Sequence, residues 1–293
     1  MKRIKPPLPF VGHKGAWGLE LAAIAQNIPS GCVVIDVFGG SGICAHYIKQ
    51  ARPDLFVVWN DFDNYRARLD HAPETEEIRR LFLDTFGPPA GKGNLVKPLD
   101  ADQCAFVRET IRRSLAERGF IDLQTLSRWL YLYSHKTCIL EASRNSKLYN
   151  RIPVVPLRLD ACRSWLSDVV RTSVTFSGLD TPFNLFGVPV KLSDFAASRD
   201  VLLILDPPYL ATCCSDYGNK EALRVLQAVC ECCERLPFLL FGDVSISFWY
   251  EQLFKGRAVS KYTKDFCNIG LGHKARTEVL FAALPWGDVQ PLA

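Results

Sequence analysis

The sequence predicts an α/β fold with a mainly parallel sheet and a mainly helical insertion. In the stretch Val201–Tyr209 (VLLILDPPY), five apolar residues precede Asp206, two prolines and a tyrosine, and Cys32–Phe38 (CVVIDVF) is a second apolar stretch of strand length; both are typical of strands buried on both faces. Between residues 65 and 156 the chain instead carries helical patterns with basic faces. We therefore expect residues 65–156 to form an inserted domain, and residues 1–64 and 157–293 to form the sheet domain.

Composition places the chain among ordinary globular proteins, since its 293 residues are 48% hydrophobic and 23% charged. No apolar run reaches transmembrane length, and the first residues lack the apolar segment of a signal peptide, so we expect a cytoplasmic protein without a membrane partner. The 11 cysteines, an odd number, argue against a secreted disulfide framework. Cys230 and Cys233 have zinc-ligand spacing, but no second pair completes a site, so no metal is expected.

The first stretch of interest is PFVGHKGAW, which contains Phe10, Gly12 and Lys14 and precedes an apolar-periodic helix. A loop that offers backbone N–H groups and a lysine just before a helix can hold an anionic group. A plain loop with a solvated lysine explains the same residues, and this stretch alone favours that simpler interpretation.

The strand Cys32–Phe38 runs into Gly39-Gly40-Ser41-Gly42 and then into a helix. Gly40 and Gly42 allow a tight turn and close approach to a ligand. The next predicted strand, Leu55–Trp59, is followed by Asp61, about 20 residues past the glycines, where an acid binds ribose hydroxyls in dinucleotide folds. This order indicates a nucleoside-cofactor site, although a turn residue remains the alternative for Asp61.

The strand Val201–Leu205 ends in Asp206, Pro207, Pro208 and Tyr209. Because proline lacks a backbone N–H, the ladder must stop there, at the sheet edge where α/β proteins bind ligands. A carboxylate on Asp206 and the Pro207 carbonyl could accept the two hydrogens of an adenine amine, and Tyr209 could stack on a flipped-out base. The alternative is an ordinary Pro-Pro turn with Asp206 as a cap.

Positive charge is concentrated in the predicted insertion. From Arg66 to Arg163 there are 17 Lys+Arg and 12 Asp+Glu, a net +5, whereas the rest of the chain carries −1. A basic helical insertion is typical of a DNA-reading module. A solvated helix face nevertheless explains most of these arginines individually.

FVGHK, DVFGGSG, NDFDN and DPPY, in this order, resemble the motifs of the D12-class (Dam-like) DNA N6-adenine methyltransferases, and the tail NIGLGHKARTEVLFAAL is similar to the closing strand of that family. The resemblance covers roughly residues 8–64 and 172–284. It implies a Rossmann-like S-adenosylmethionine-dependent methyltransferase sheet, with the helical insertion as the DNA target-recognition domain. The implied activity is site-specific methyl transfer from S-adenosylmethionine to a flipped-out adenine.

The resemblance also implies roles for individual residues. Asp206, Pro207, Pro208 and Tyr209 would be catalytic. Asp180, after a predicted strand at Ser173–Asp180, would face the cofactor adenine, but it precedes Asp206 by more than the family pattern, so Asp194 is a rival. The implied cofactor-binding residues are Phe10, Gly12, Lys14, Asp36, Phe38, Gly40, Gly42, Asp61 and Asp180.

Other functions remain open at this point. N4-cytosine DNA methyltransferases use the same geometry but usually begin the tetrapeptide with Ser, so Asp206 favours adenine. An inactive DNA-binding remnant of a prophage methylase is a further alternative, against which the intact DPPY and DVFGGSG motifs argue. The expected partner is double-stranded DNA, a restriction endonuclease is a candidate partner, and we expect a monomer.

Overall fold

The structure is a computed structural model that describes residues 4–10, 12, 14–90, 96, 98–131, 147–185, 187–195, 200–207, 218–266 and 276–286; the side chains of 218–222 and 276 are not described. The chain divides into two compact units. The first comprises Met1–Lys5, His13–Asp63 and Asp168–Ala293, and the second Pro6–Gly12 and Asn64–Ser167.

Seven of the described strands form one sheet in the first unit, and two more form a separate hairpin. In chain order the strands are β1 (Val33–Asp36), β2 (Phe56–Asn60), β3 (Val170–Thr172), β4 (Pro182–Leu185), β5 (Val188–Lys191), β6 (Val201–Leu205), β7 (Phe238–Asp243), β8 (Ser260–Phe266) and β9 (Arg276–Ala283).

The described helices are distributed over both units. In chain order they are α1 (Gly18–Gln26), α2 (Ile43–Ala51), α3 (Tyr65–Asp70), α4 (Ala72–Phe86), α5 (Ala101–Arg118), α6 (Leu123–Leu130), α7 (Leu159–Ser164), α8 (Gly218–Arg235) and α9 (Val244–Leu253), with short 3-10 helices at Gly15–Trp17 and Leu192–Phe195. None of the described helices combines the length and the apolar character needed to cross a bilayer.

The strand order of the large sheet is β3-β2-β1-β6-β7-β9-β8. The first five strands in this order are mutually parallel, whereas β9 runs antiparallel to both of its neighbours. This is a Rossmann-like, mostly parallel sheet, so the predicted α/β fold class is confirmed. The predicted strand in VLLIL is also confirmed, because all five residues of β6 are buried between β1 and β7.

The second unit is built from α3 to α7 among its described residues, and α4, α5 and α6 pack around a core of their own. Local signals in the sequence explain the bounds of α5. Asp100 and Gln103 form a capping box at its start, and Gly119 ends it in the left-handed conformation with φ of 74°.

Several basic residues of the second unit are paired with acids inside it. Arg68 is buried, and its Nε lies 2.8 Å from Asp122 Oδ1. Arg79 is likewise buried, with its Nε 2.7 Å from Glu76 Oε2. These two pairs bury equal numbers of positive and negative charges, so the net excess of +5 remains with the other residues of this part of the sequence.

The predicted strand at Ser173–Asp180 is wrong, because β3 ends at Thr172. The reason lies in the side chain of Asn60, which accepts a hydrogen bond from Val174 N and donates one to Val174 O. Since these groups are no longer available to a neighbouring strand, the chain leaves the ladder here. The hairpin of β4 and β5 and the edge strand β8 were not anticipated from the sequence.

Candidate active site

The acid after β6 and the lysine before α1 form an ion pair. Lys14 Nζ lies 2.7 Å from Asp206 Oδ2, with side-chain exposures of 3% and 20%. The ammonium group also lies 5.6 Å from the centroid of the Phe241 ring on β7. Lys14 is thus enclosed at the carboxyl edge of the sheet, where it acts as a counter-ion to Asp206.

Asp36 brings a second carboxyl group to this edge. It ends β1 and is buried, and its Oδ2 accepts a hydrogen bond from Ala45 N, in the first turn of α2, at 3.3 Å. Burial raises the pKa of Asp36 to about 7; the Ala45 amide opposes the rise, the charge of Asp206 adds to it, and Lys14 lowers it. Lys14, Asp36 and Asp206 therefore share one electrostatic environment.

The glycine turn after β1 adopts a backbone that requires glycine. Gly40 and Gly42 have φ of 47° and 71°, in the left-handed region. A Cβ on Gly39 would lie 2.1 Å from Cδ1 of Trp59, so the turn packs directly against β2. The turn leads straight into α2, whose first backbone N–H groups can bind anions. This arrangement fits the glycine-dependent approach to a nucleoside cofactor that the sequence predicts.

Asp61 follows β2 and is buried. Its backbone N–H donates to Thr172 O at 2.8 Å, and its Oδ2 lies 3.8 Å from Nη1 of the exposed Arg171. A buried carboxylate at this point of the sheet is the group that a ribose would need. Asp61 is therefore an acid of the type that a ribose contact requires, and it directly follows β2, the strand that carries Trp59.

Asn60 holds this part of the edge together. Its Nδ2 donates to Val37 O at 2.9 Å and to Val174 O at 3.0 Å, and its Oδ1 accepts from Val174 N at 2.9 Å. The ends of β1 and β2 and the chain after β3 are therefore connected through one side chain. Nearby, Phe38 packs edge-on against Phe176, with ring centroids 5.3 Å apart.

The other predicted site residues belong to the second unit, directly follow Asp206 or lie outside the described residues. Phe10 and Gly12 belong to the second unit, where the ring of Phe10 contacts that of Tyr65 at 5.6 Å and Gly12 is exposed with φ of 78°. Pro207 is buried directly after Asp206. Pro208 and Tyr209 lie outside the described residues.

The two rival acids for the cofactor adenine both make contacts around the β4–β5 hairpin. Asp180 is exposed and accepts a hydrogen bond from Ser193 Oγ at 2.7 Å. Asp194 Oδ2 accepts from Lys191 N at 2.7 Å. These contacts give both side chains a local turn-stabilising role, and they do not join either acid to the glycine turn.

Sequence reasoning did not single out several residues that support the site. Asn60 and Glu278 are polar residues within or beside apolar strands, and Glu278 Oε2 accepts from Trp17 Nε1 at 3.0 Å. Trp17 in turn contacts Phe241, the ring beneath Lys14, at 5.8 Å. Buried polar side chains must find hydrogen-bond partners, so a lone Asn or Glu in an apolar strand was the available signal.

The cysteine clusters have the environment of core residues. Cys232 and Cys233 on α8 are buried, and burial raises the pKa of the Cys232 thiol to about 12. Within the part of the chain that the structure describes, no three His, Cys, Asp or Glu side chains are placed to hold a metal ion. Cys213 and Cys214 lie outside that part.

No protein-family model matches the chain. Over 255 residues the chain is 29% identical to a Haemophilus influenzae protein named "Putative methyltransferase". This similarity covers 83% of the chain and 77% of the Haemophilus influenzae protein.

Proposed function

We propose that this protein transfers a methyl group from S-adenosylmethionine to the N6 atom of adenine in double-stranded DNA. The observation that carries the proposal is Asp206, which directly follows the buried strand β6 and is held by Lys14 at 2.7 Å. The similarity to the Haemophilus influenzae protein supports methyl transfer in general. The choice of DNA adenine depends on the identity and setting of Asp206.

The residues that would hold S-adenosylmethionine are those of the glycine turn, together with Asp36 and Asp61. When bound, S-adenosylmethionine supplies a methyl group activated by a sulfonium. The left-handed Gly40 and Gly42 allow the backbone to approach the ligand closely, and the buried Asp61 offers acceptors for ribose hydroxyls. Asn60 keeps the two halves of this site in register through its bonds to Val37 and Val174.

Asp206 would act on the target amine. The N6 lone pair of adenine is delocalised into the ring, so the amine is a poor nucleophile. Hydrogen bonds from the two amine hydrogens to the Asp206 carboxylate and the Pro207 carbonyl would return electron density to the nitrogen. When the methyl group joins N6, S-adenosylhomocysteine leaves and one of these hydrogens is released as a proton, which the Asp206 carboxylate would pass to solvent. The buried ammonium group of Lys14 stabilises negative charge on Asp206 and fixes its orientation. Catalysis then rests on positioning and on preorganised charge.

The adenine must leave the duplex to reach Asp206, because the atom to be modified is inaccessible in a stacked base pair. Unstacking costs a few kcal/mol, which protein contacts to the DNA backbone must offset. The second unit, with its excess of basic residues, would provide those contacts.

Transfer of tritium from labelled S-adenosylmethionine to plasmid DNA, followed by digestion to nucleosides, tests the proposal. We expect label in N6-methyldeoxyadenosine. Label in N4-methyldeoxycytidine would assign the protein to the cytosine enzymes, and label in RNA or protein alone would overturn the DNA substrate. Cofactor and DNA binding without any transfer would identify an inactive remnant.

A further inference from the structure

A short loop of the second unit presents two adjacent valines to solvent. Val154 and Val155 are 61% and 74% exposed, and Pro156 after them is exposed as well. The chain before them is anchored, since Ile152 is fully buried in the core of this unit. Residues 154–156 are termed here the apolar tip. Exposed apolar residues are common on protein surfaces, so the meaning of the tip depends on how it is held and on what surrounds it.

A buried ion pair holds both ends of the apolar tip. Arg79 Nη1 donates to Pro153 O at 2.7 Å and to Val154 O at 3.1 Å. The partner of Arg79, Glu76, accepts a hydrogen bond from Leu157 N on its Oε2 at 3.0 Å. A buried ion pair needs further hydrogen bonds to offset its desolvation, and the loop backbone supplies them here. The loop is therefore held from the inside, while the valine side chains face solvent.

The apolar tip offers little hydrogen-bonding capacity to a partner. Pro156 has no backbone N–H, and the carbonyl of Val154 is already bonded to Arg79. The exposed side chains of Val154 and Val155 are hydrocarbon, and valine is short, branched and stiff at χ1. A partner would therefore be recognised by the tip through apolar groups of its own.

Positive charge flanks the apolar tip. The Arg80 side chain is 66% exposed, and its Nε lies 3.1 Å from Oε1 of Glu76, the acid that Arg79 also bonds. Arg158, just after the tip, is exposed too. These three arginines and one acid give a net charge of +2 (3 − 1), and the helix that follows, α7, adds none because it carries one acid and one arginine. An apolar contact between exposed cations complements a polyanion.

We infer that the apolar tip enters the major groove of double-stranded DNA and contacts thymine methyl groups, while Arg80 and Arg158 bind the flanking phosphates. The major groove is about 12 Å wide and admits protein elements, and the C5-methyl group of thymine is the apolar group that identifies a base there. Phosphate contacts position a protein, whereas base contacts provide sequence information. The inference rests on the proposed function, under which every target site contains a thymine opposite the adenine to be methylated.

Insertion of the tip between base pairs is the competing mode of DNA contact. Side chains that insert in this way are usually larger than valine, such as Phe, Leu or Met. A pair of short, branched side chains on a fixed backbone fits a methyl contact better, because it presents methyl groups without reaching far from the loop. The two modes differ in their dependence on the thymine methyl group, which an experiment can remove.

The test begins by sequencing plasmid DNA that the wild type has methylated, which maps the target site. Two fluorescent duplexes then carry this site with either thymine or uracil at every position, so that they differ only in methyl groups. Binding is compared for the wild type, for Val154→Ser with Val155→Ser, and for Arg158→Ala, over a series of salt concentrations. Val188→Ser is the matched control, because this valine is 58% exposed on β5 in the first unit.

We expect the wild type to bind the thymine duplex on the order of fivefold more tightly, the scale for burying one or two methyl groups. The variant with both tip valines replaced should bind the two duplexes equally and keep the wild-type salt slope. Val188→Ser should keep the thymine preference. Arg158→Ala should weaken binding to both duplexes by the same factor and flatten the logarithmic salt slope by about one unit.

A wild type that methylates DNA but binds the two duplexes equally would contradict the inference and leave the proposed function standing. A tip variant that keeps the thymine preference would do the same, because another part of the protein would then read the methyl group. Equal loss of affinity for both duplexes in the tip variant, without a wild-type preference, would indicate insertion between base pairs. If the wild type binds RNA or anionic lipid vesicles but neither binds nor methylates duplex DNA, both the inference and the proposed function are wrong.

Discussion

Lys14 Nζ lies 2.7 Å from Asp206 Oδ2, so a lysine near the start of the chain neutralises the acid that follows β6. The family resemblance implies a cofactor-binding role for Lys14, whereas its position assigns it to the group proposed to receive the target amine. The Phe241 ring lies 5.6 Å from the ammonium group, Trp17 packs against Phe241, and Glu278 accepts a hydrogen bond from Trp17. We therefore propose that Lys14 is a positioning residue for Asp206.

Lys14→Met should lower the rate of methyl transfer by on the order of tenfold to a hundredfold, because Asp206 loses its orientation. S-adenosylmethionine affinity should stay within a few-fold of the wild type, and Lys14→Arg should recover part of the rate. Single-turnover kinetics and calorimetry separate the two effects. A large loss of cofactor affinity at an unchanged rate of methyl transfer would mean that Lys14 binds the cofactor and does not position Asp206.

Asp36→Asn should change how stability depends on pH. Because burial raises the pKa of Asp36 to about 7, the folded protein keeps its proton at a pH where the unfolded chain has lost it. The wild type should therefore lose stability as pH rises from about 4 towards 7, at up to about 1.4 kcal/mol per pH unit.

The Asp36→Asn protein lacks this ionisation, so its free energy of unfolding should vary less over the same range. Urea unfolding at several pH values measures the difference, with the exposed Asp84→Asn as a control. Identical pH profiles for the wild type and Asp36→Asn would show that Asp36 does not titrate in this range.

Asp61→Ala should weaken S-adenosylmethionine binding by about 1–3 kcal/mol, the range for hydrogen bonds to a charged group. The exposed Asp63→Ala, two residues further on, is the matched control and should bind normally. Calorimetry provides both affinities. Equal S-adenosylmethionine affinities in the two variants would mean that Asp61 is only a turn residue.

Gly39→Ala should destabilise the protein by about 1–3 kcal/mol, the usual cost of overpacking. Its new Cβ would meet Trp59 at 2.1 Å and Asn60 O at 2.9 Å. Gly242→Ala is a milder comparison, since its Cβ would lie 3.3 Å from the Tyr250 ring. Thermal unfolding should rank Gly39→Ala as the less stable variant, and the reverse order would mean that the turn can move away from Trp59.

The sequence predicted the parts of the fold that depend on local pattern. The apolar run of β6 and the glycine turn before α2 each have a signature within about ten residues, because burial on both faces demands apolar residues and positive φ favours glycine. The end of β3 was missed, since it depends on hydrogen bonds between Val174 and Asn60, which are far apart in the chain.

In the candidate site, too, local features could be predicted from the sequence and long-range contacts could not. The types of residue at Asp36, Asp61 and Asp206 were visible from motif spacing, but the partner of Lys14 was not. The ion pair with Asp206 arises from the way β1, β6 and β7 assemble, which no local pattern encodes. Asp180 is a further example, because its place in the motif order did not reveal the hydrogen bond that it accepts from Ser193.

The claim that Asp206 acts on the target adenine amine is tested most directly by measuring methyl transfer by the Asp206→Asn variant. Asparagine keeps the shape of the side chain but removes the negative charge that would strengthen the hydrogen bond from the amine. We predict that transfer of labelled methyl groups to adenine N6 in duplex DNA falls by on the order of a hundredfold or more, while S-adenosylmethionine binds within a few-fold of the wild type. Wild-type transfer rates in Asp206→Asn would contradict the account.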